Sequence, residues 1–265
     1  MPSPEEVIDN LREAIGEPLS VIADPEAGGF LGAAIEEFED LVIALACIHL
    51  FERADEEGYA RNLQLCGFAR QHFVRRMRVA MDVDDVHSGA SRAQGDLAAF
   101  IAGDDGLVRD IVSLAETNPL PGEYEEDFHY RKILHHLMVA PAQIDEDALT
   151  VLINAFEDTR HGAEESRHAL CFAFRDADQD GFWSAFTNLH DELVEQRATP
   201  PRTDDPWPEL SRRLWLEGLV WLALASRLRG WSSPETDYAL CPSWGHRRTL
   251  PPACENIFLT LPVQR

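Results

Sequence analysis

The sequence has little of what marks secreted or membrane-spanning proteins. Its 265 residues include only five cysteines, and no two of them form a C-x-x-C pair. Isolated cysteines in apolar stretches are typical of buried free thiols in a reducing compartment. The acidic amino terminus lacks the apolar core of a signal peptide. The longest apolar run, residues 41–50, is about half the length that crosses a bilayer. We therefore expect a soluble, cytoplasmic protein.

Motifs of common catalytic and cofactor-binding sites are absent as well. The sequence contains no G-x-S-x-G nucleophile elbow, no P-loop and no G-x-G-x-x-G fingerprint. Strand patterns are also scarce, and residues 256–261, the one stretch that looks extended, are too few to anchor a sheet. We therefore expect a protein that is not an enzyme and that needs no cofactor.

Apolar residues recur with the helical period along nearly the whole chain. Ser3 and Glu6 form a predicted capping box that opens a first helix, which we expect to end near Gly16. Long helices are predicted from about residue 30 and over 57–81, and a strongly apolar, buried helix over 207–229 that ends at Gly230. Shorter helices are predicted at about 89–102, 105–116, 123–139, 145–159, 163–176 and 180–197.

The predicted fold is all-α, a multi-helix bundle of successive helical hairpins that is partly repeat-like and ends in an irregular C-terminal coil. We expect one continuous globular unit with two regions. Residues 1–120 form an acidic N-terminal helical region. Residues 121–265 form a C-terminal helical region that holds the buried final helix and the coil tail.

Negative charge is concentrated in the N-terminal half of the chain. The formal net charge is −24, of which residues 1–60 carry −13 and residues 81–127 carry −10, whereas the chain from 201 onward carries +1. A field of this sign repels nucleic acid and anionic membranes and attracts basic partners. Between the acidic stretches lie five arginines that we expect to pair with neighbouring acidic helices: Arg61, Arg70, Arg75, Arg76 and Arg78.

One acidic turn resembles the start of a calcium-binding loop. Asp176, Asp178, Asp180 and Gly181 have EF-hand spacing, but Thr187 occupies the position where the loop requires a bidentate Glu. The sequence therefore favours a turn between helices, with Asp180 capping the next helix. Whether the three aspartates bind a cation stays open at this point.

Two Glu-x-x-His spacings lie on predicted helices, Glu126 with His129 and Glu165 with His168. Di-metal bundles use two such pairs together with a Glu from each of two other helices. Glutamate and histidine are numerous enough in this chain for the spacings to arise by chance. A helical di-metal carboxylate enzyme is therefore kept as an alternative, and no residue is assigned as a metal ligand.

Several stretches of the C-terminal half carry a family resemblance. They are FHY at 128–130 with Leu134 and Leu137, DGFWSAF at 180–186, LEGLVWLALA at 216–225, and DYALCP at 237–242. In this order they resemble the immunity protein 49 family of bacterial polymorphic toxin systems. The resemblance implies an all-α protein that binds and neutralises a cognate toxin domain and has no catalysis of its own. It assigns no residue as a contact.

Acidic clusters that include an aromatic residue are the candidate contacts for such a partner. Charge would steer the inhibitor to a basic toxin domain, such as a nuclease, and an aromatic anchor would hold it. The first cluster follows two prolines at an expected helix start and comprises Glu123, Tyr124, Glu125, Glu126 and Asp127. Secondary candidates are Asp82, Asp84, Asp85, Asp104 and Asp105. A helical adaptor that binds another basic partner is a further alternative, and the oligomeric state is left open.

Overall fold

The chain folds into α-helices joined mostly by short turns. A computed structural model describes residues 3–80, 85–140, 143–159, 165–199, 207–234, 237–248, 251 and 254–261. Within these residues there is no β-strand, and one isolated bridge joins Tyr238 to Cys241. The prediction of an all-α multi-helix fold is confirmed. None of the described helices has both the length and the apolar character needed to span a membrane.

The helices have the following bounds in chain order. The α-helices are α1 Pro4–Ala23, α2 Leu31–Arg53, α3 Glu56–Ala80, α4 Gly95–Ile101, α5 Asp105–Leu114, α6 Glu125–Val139, α7 Glu146–Thr159, α8 Glu165–Arg175, α9 Gln179–Arg197, α10 Trp207–Ser211 and α11 Leu216–Leu224. The 3₁₀ turns are Gly28–Phe30, Val86–Ser88, Ala90–Arg92 and Ile257–Thr260, and a π-helical turn, Ala225–Arg229, continues α11.

Helix α1 begins as predicted but ends later. The Ser3 hydroxyl accepts a hydrogen bond from the Glu6 N–H at 3.2 Å, and the Glu6 carboxylate accepts one from the Ser3 N–H at 2.7 Å. The predicted end near Gly16 is wrong, because the helix continues to Ala23. Ile22 in its last turn is fully buried. Packing of that kind outweighs the cost of about 1 kcal/mol of a glycine inside a helix.

Helices α2, α3 and α4 form the centre of the N-terminal half. A left-handed residue, Ala54 with φ of 51°, makes the tight turn between α2 and α3. Helix α4 approaches α3 closely because Gly95 has no side chain. A Cβ at that position would lie 2.5 Å from the Arg70 Cβ and 2.8 Å from the Cys66 carbonyl oxygen. The next residue, Asp96, is thereby placed inside the bundle, where its side chain is fully buried.

Four of the five arginines of α3 contact neighbouring segments, as predicted, although Arg76 binds carbonyls and Arg78 binds carbonyls as well as the Glu116 carboxylate, at 3.6 Å. The prediction is wrong for Arg61, which pairs with Glu57 of its own helix. Arg76 donates to three carbonyl oxygens at the end of α1 at 3.0–3.2 Å. Arg78 donates to two at the end of α5 at 3.0 and 3.1 Å. Arg75 pairs with an acidic residue of α5. Cations at helix C-termini satisfy carbonyls that the helix leaves unpaired.

The predicted final helix over 207–229 is interrupted between α10 and α11. The Trp215 N–H donates to the Leu240 carbonyl at 2.9 Å instead of to the preceding helical turn. Arg197 Nη1 donates to the carbonyls of Arg212 and Leu214, the latter at 2.9 Å. The interruption is therefore stabilised by groups that are remote in sequence, and local periodicity carries no signal of them.

Helix α11 lies at the centre of the C-terminal half, as predicted. Trp221 is fully buried, with its ring centroid 5.3 Å from that of Phe174 and 6.0 Å from that of Phe182. Its indole N–H donates to the Tyr130 hydroxyl at 2.8 Å. Gly230, with φ of 68°, ends the helical run at the predicted residue.

The extended conformation expected for residues 256–261 is wrong. The Asn256 side chain accepts a hydrogen bond from the Phe258 N–H at 3.0 Å and opens a 3₁₀ turn. The Phe258 ring is buried and packs edge-on against Phe38 at a centroid distance of 5.5 Å. The Phe258 ring enters the core while the neighbouring Ile257 and Leu259 side chains stay exposed.

The C-terminal coil is fastened to helices from the beginning of the chain. The Tyr59 hydroxyl of α3 donates to the Gly245 carbonyl at 3.2 Å. Arg248 Nε donates to the Phe100 carbonyl of α4 at 2.7 Å, and the Arg248 guanidinium carbon lies 4.0 Å from the centroid of the Phe100 ring. The coil therefore completes the core rather than trailing from it.

Candidate functional site

The acidic cluster before α6 is held in place by one of its own members. Glu123 Oε1 accepts hydrogen bonds from the backbone N–H and the hydroxyl of Ser91 at 2.8 and 2.7 Å. Its Oε2 accepts one from the Leu120 N–H at 3.1 Å. Glu123 thus acts as an internal clamp that fixes the backbone just before Tyr124.

The residues after the clamp form an exposed rim. Tyr124 is 73% exposed despite its aromatic ring, Glu125 is exposed and Glu126 is half-buried. Both carboxylates lie in the first turn of α6, where the helix dipole favours negative charge. We call Tyr124, Glu125 and Glu126 the α6 rim. An exposed aromatic ring beside carboxylates is the arrangement that the sequence analysis sought.

The other predicted contacts that the structure describes have partners within the chain. Asp127 pairs with Arg167 at 2.9 Å, and Asp105 pairs with Arg248. Asp85 accepts a hydrogen bond from the His87 N–H at 2.9 Å. Asp104 caps α5 by accepting one from the Leu107 N–H at 2.9 Å. Asp82 and Asp84 lie outside the described residues. Of the ten predicted positions, the α6 rim is the part that the structure presents outward as a group.

The predicted contacts also do not form one continuous surface. Arg227 Nη1 lies 3.7 Å from Asp105, and Arg227 Nη2 donates to the Leu137 carbonyl at 2.8 Å. Asp105 is therefore near the end of α6, about 20 Å from Tyr124 at the start of the same helix.

A second exposed aromatic residue precedes α2. Phe30, just before α2, is 78% exposed. Two residues on, Gly32 packs so closely on His87 that a Cβ would lie 2.5 Å from the histidine Cβ. Gly89 packs in the same way on Glu123, since a Cβ added to Gly89 would lie 2.9 Å from Glu123 Oε1. The exposure of Phe30 was not predictable from the sequence, because this residue opens a long apolar helix and so resembles a core residue.

The two Glu-x-x-His pairs do not converge on a metal site. His168 pairs with Glu157, and its ring lies 4.2 Å from that of Phe172. Across the part of the chain that the structure describes, no group of three or more His, Cys, Asp and Glu side chains is placed to hold a metal ion.

Two of the three aspartates of the EF-hand-like turn, Asp176 and Asp178, have structural partners. Asp178 caps α9 by accepting from the Gly181 N–H at 3.0 Å, so the prediction that Asp180 is the cap is wrong. The reason is that the helix begins at Gln179, which places Asp180 inside its first turn. Asp176 pairs with Arg175 at 2.7 Å.

A layer of charged and ionisable side chains lies in the interior, and the sequence analysis did not predict it. Arg70 Nε and Nη2 each donate to a Glu39 carboxylate oxygen at 2.7 Å. Asp96 accepts from Arg131 Nη1 at 3.2 Å and lies 2.6 Å from His135 Nε2. All five side chains are buried. We call Glu39, Arg70, Asp96, Arg131 and His135 the buried charge layer.

The layer controls the protonation of its members. Burial alone would raise the pKa of Asp96, but the Arg131 charge and the hydrogen bond with His135 outweigh it and lower the pKa to about 2. Burial lowers the pKa of His135, so the ring is neutral at pH 7 and donates from Nε2 to Asp96. Burial raises the pKa of Glu39, against the opposing effect of the bidentate Arg70.

We expect the contribution of Asp96 to stability to fade as the pH falls from about 4 to about 2. Its folded pKa of about 2 lies below the ordinary 3.8, so the charged form favours folding above pH 4, and the gain disappears once both states are protonated. Urea unfolding at several pH values measures the free energy of unfolding of wild type and of Asp96→Asn. The difference between these two free energies should narrow by about 2 kcal/mol as the pH falls through this window. The exposed Asp9→Asn is the control, and a difference that stayed constant to pH 2 would contradict the assignment.

A cleft of about 480 Å³ opens beside the buried charge layer, and Arg131 forms part of its wall. We call it the arginine cleft, after Arg92, Arg131, Arg197 and Arg212 in its lining. Asp40 is also in the lining and reaches solvent at the mouth. The surrounding wall nevertheless removes part of the hydration of the Asp40 carboxylate, and the nearby glutamates of α2 add negative charge. Both effects raise the pKa of Asp40, to about 6. The lining comes from α2, the segment before α4, α4, α6, α9, α10, the α10–α11 interruption and the start of α11, which is why sequence spacing did not reveal it.

Comparisons with protein-family models, with curated proteins and with solved structures find no match for this chain. The resemblance to the immunity protein 49 family therefore stays a prediction, and the functional argument depends on the geometry described above.

Proposed function

We propose that this protein is a cytoplasmic immunity protein that binds a cognate basic toxin domain and neutralises it by forming a stoichiometric complex, with no catalysis of its own. The observation that supports this proposal is the α6 rim. Tyr124 is 73% exposed, with two carboxylates directly after it. Burying such a ring against a partner is favourable, and the adjacent negative charge selects a partner that is basic.

The clamp at Glu123 prepares the rim for binding. Its three hydrogen bonds to Ser91 and Leu120 fix the backbone from which Tyr124 projects. A contact that is already ordered loses less conformational entropy on association. The rim therefore has the rigidity expected of an aromatic anchor.

The overall charge favours rapid association with the same kind of partner. The net charge of −24 attracts a basic domain over a distance of about one Debye length, roughly 8–10 Å at physiological salt. Helix α1 adds an exposed set of carboxylates to the acidic surface: Glu5, Glu6, Asp9, Glu13 and Glu17.

The test uses the protein encoded directly beside this one as the candidate toxin. We expect Tyr124→Ala to weaken the complex by about 30-fold or more, because truncating an aromatic anchor typically costs at least 2 kcal/mol. Tyr124→Phe retains the ring and should bind within about 3-fold of wild type, since a rim hydroxyl contributes little. Val151→Ala removes a side chain of similar exposure, 68%, from α7 and is the matched control. Isothermal titration calorimetry gives the affinities.

Three outcomes would count against the proposal. Equal affinities for wild type and Tyr124→Ala would show that the rim is not the contact. A complex that forms without restoring growth to cells expressing the candidate toxin would favour the adaptor alternative. An association rate that did not change as salt is raised from about 50 to 500 mM would contradict electrostatic steering.

A further inference from the structure

We infer that the arginine cleft binds a small organic oxyanion, a molecule with a phosphate or carboxylate group and an apolar portion. The juxtaposition behind this inference is that Arg131, Arg197 and Arg212 line one cleft of about 480 Å³. That volume falls within the range typical of small-molecule sites. The inference is independent of the toxin-binding proposal, which depends on the α6 rim.

Each of the three guanidinium groups is anchored at one end only. Arg131 Nη1 donates to Asp96 at 3.2 Å, Arg197 Nη1 to the Leu214 carbonyl at 2.9 Å, and Arg212 Nη1 to the Thr199 carbonyl at 3.1 Å. Among the described residues, every hydrogen bond that these three side chains make uses Nη1. Within the described part of the chain, the remaining donors of each planar fork make no hydrogen bond to the protein, which leaves them able to bind a ligand. A fork fixed in this way suits bidentate recognition of a phosphate or carboxylate.

The charge of the cleft is opposite to that of the molecule. Four arginines and two carboxylates line it, although the chain has a net charge of −24. One of the two, Glu217, already accepts a hydrogen bond from the Tyr130 hydroxyl at 2.8 Å and lies 3.6 Å from Arg167. A concave surface with an excess of cations concentrates anions locally.

Two of the cations are close enough to repel each other. Burial lowers the pKa of Arg197, and the charge of Arg212 lowers it further. An oxyanion shared between them would convert this repulsion into two attractions, and the intramolecular hydrogen bonds of both side chains would still be in place.

Apolar side chains in the lining of the cleft favour an organic ligand rather than an inorganic ion. Trp215, Leu97, Leu214, Leu216 and Pro208 contribute to the lining. Ser91 and Gln94 add neutral hydrogen-bonding groups. A ligand that filled the cleft would therefore place its anionic group at the arginines and its apolar portion against the Trp215 side, as in small-molecule sites with a few placed polar groups.

Benzoate and adenosine 5′-monophosphate are the probes, one for each oxyanion class, and sodium chloride at matched ionic strength is the control. We expect at least one probe to raise the melting temperature and to bind with one site per chain and a Kd below about 1 mM in calorimetry. Arg212→Gln should weaken this binding by about 10- to 100-fold, since it removes a charge-assisted contact. Arg61→Gln is the matched control, because Arg61 pairs with Glu57 on the surface of α3 and is not in the lining of the cleft, and it should bind within about 2-fold of wild type.

The result that overturns the inference is the absence of binding for both probes at about 10 mM, or equal affinities for Arg212→Gln and wild type. Circular dichroism shows whether the variant is folded. If Arg212→Gln does not fold, Arg197→Lys decides by the same criterion, because it keeps the charge and a donor for the Leu214 carbonyl but loses the planar fork.

Discussion

Replacing Glu39 by glutamine is expected to lower the free energy of unfolding by about 3–5 kcal/mol. The Glu39 and Arg70 side chains are each only 1% exposed, and both oxygens of the carboxylate accept hydrogen bonds from the guanidinium. Glutamine has nearly the same shape, but it removes the negative charge and turns an amide donor toward a guanidinium that has only donors. The buried Arg70 charge then loses its paired carboxylate and keeps only the weaker interaction with Asp96 to offset it among the described acidic residues.

The chain offers a matched surface pair for comparison. Glu52 is also on α2, and it pairs with Arg213 at 2.8 Å with both side chains about 40% exposed. We expect Glu52→Gln to cost less than about 1 kcal/mol, because water and salt screen exposed pairs. Urea unfolding monitored by circular dichroism measures both variants. Similar losses for Glu39→Gln and Glu52→Gln would contradict the role assigned to the buried charge layer.

Truncating Trp221 to alanine is the second change with a large expected effect, again about 3–5 kcal/mol of unfolding free energy. The ring is fully buried among Phe174 and Phe182, so its removal leaves a cavity that helices on several sides would have to fill. The change also removes the N–H donor to the Tyr130 hydroxyl.

Two further variants separate these effects. Trp221→Phe retains most of the packing and loses the N–H donor, so we expect a smaller loss of about 1–2 kcal/mol. Trp244→Ala removes a tryptophan that is 41% exposed and should cost about 1 kcal/mol or less. Chemical denaturation of the three variants gives the comparison. A loss for Trp221→Ala no larger than that for Trp244→Ala would show that α11 is not the centre of the C-terminal half.

Local sequence patterns predicted the helices well wherever packing follows the helical period. Helix α2 begins within about one residue of the expected position, and α3 begins and ends within about one residue of it, because long apolar faces and polar ends define them. The predictions failed where a remote partner decides the local conformation. The Trp215 N–H leaves the helical ladder for Leu240, and Phe258 turns inward to Phe38. No short window of sequence contains both members of such a pair.

The candidate sites were predicted only in part, for the same reason. The α6 rim could be predicted because Tyr124 and its acidic neighbours are consecutive and follow two prolines. The buried charge layer could not, because Glu39 meets Arg70, and Asp96 meets His135, only after four helices have packed. A usable signal did exist, since Glu39 lies on a helix that is apolar on most sides. A charged residue in that position requires a buried partner.

The attachment of the C-terminal coil has a consequence for the order in which the protein folds during synthesis. The Tyr59 hydroxyl donates to the carbonyl of Gly245, and the Phe100 carbonyl accepts from Arg248. Helices α3 and α4 leave the ribosome long before residues 245 and 248 are synthesised. Until the C-terminal coil is made, part of the inner surface of α3 and α4 therefore stays uncovered. Contacts of such large sequence separation also slow folding. Protection by chaperones while the chain is being translated is therefore most valuable for the half of the protein that is made first.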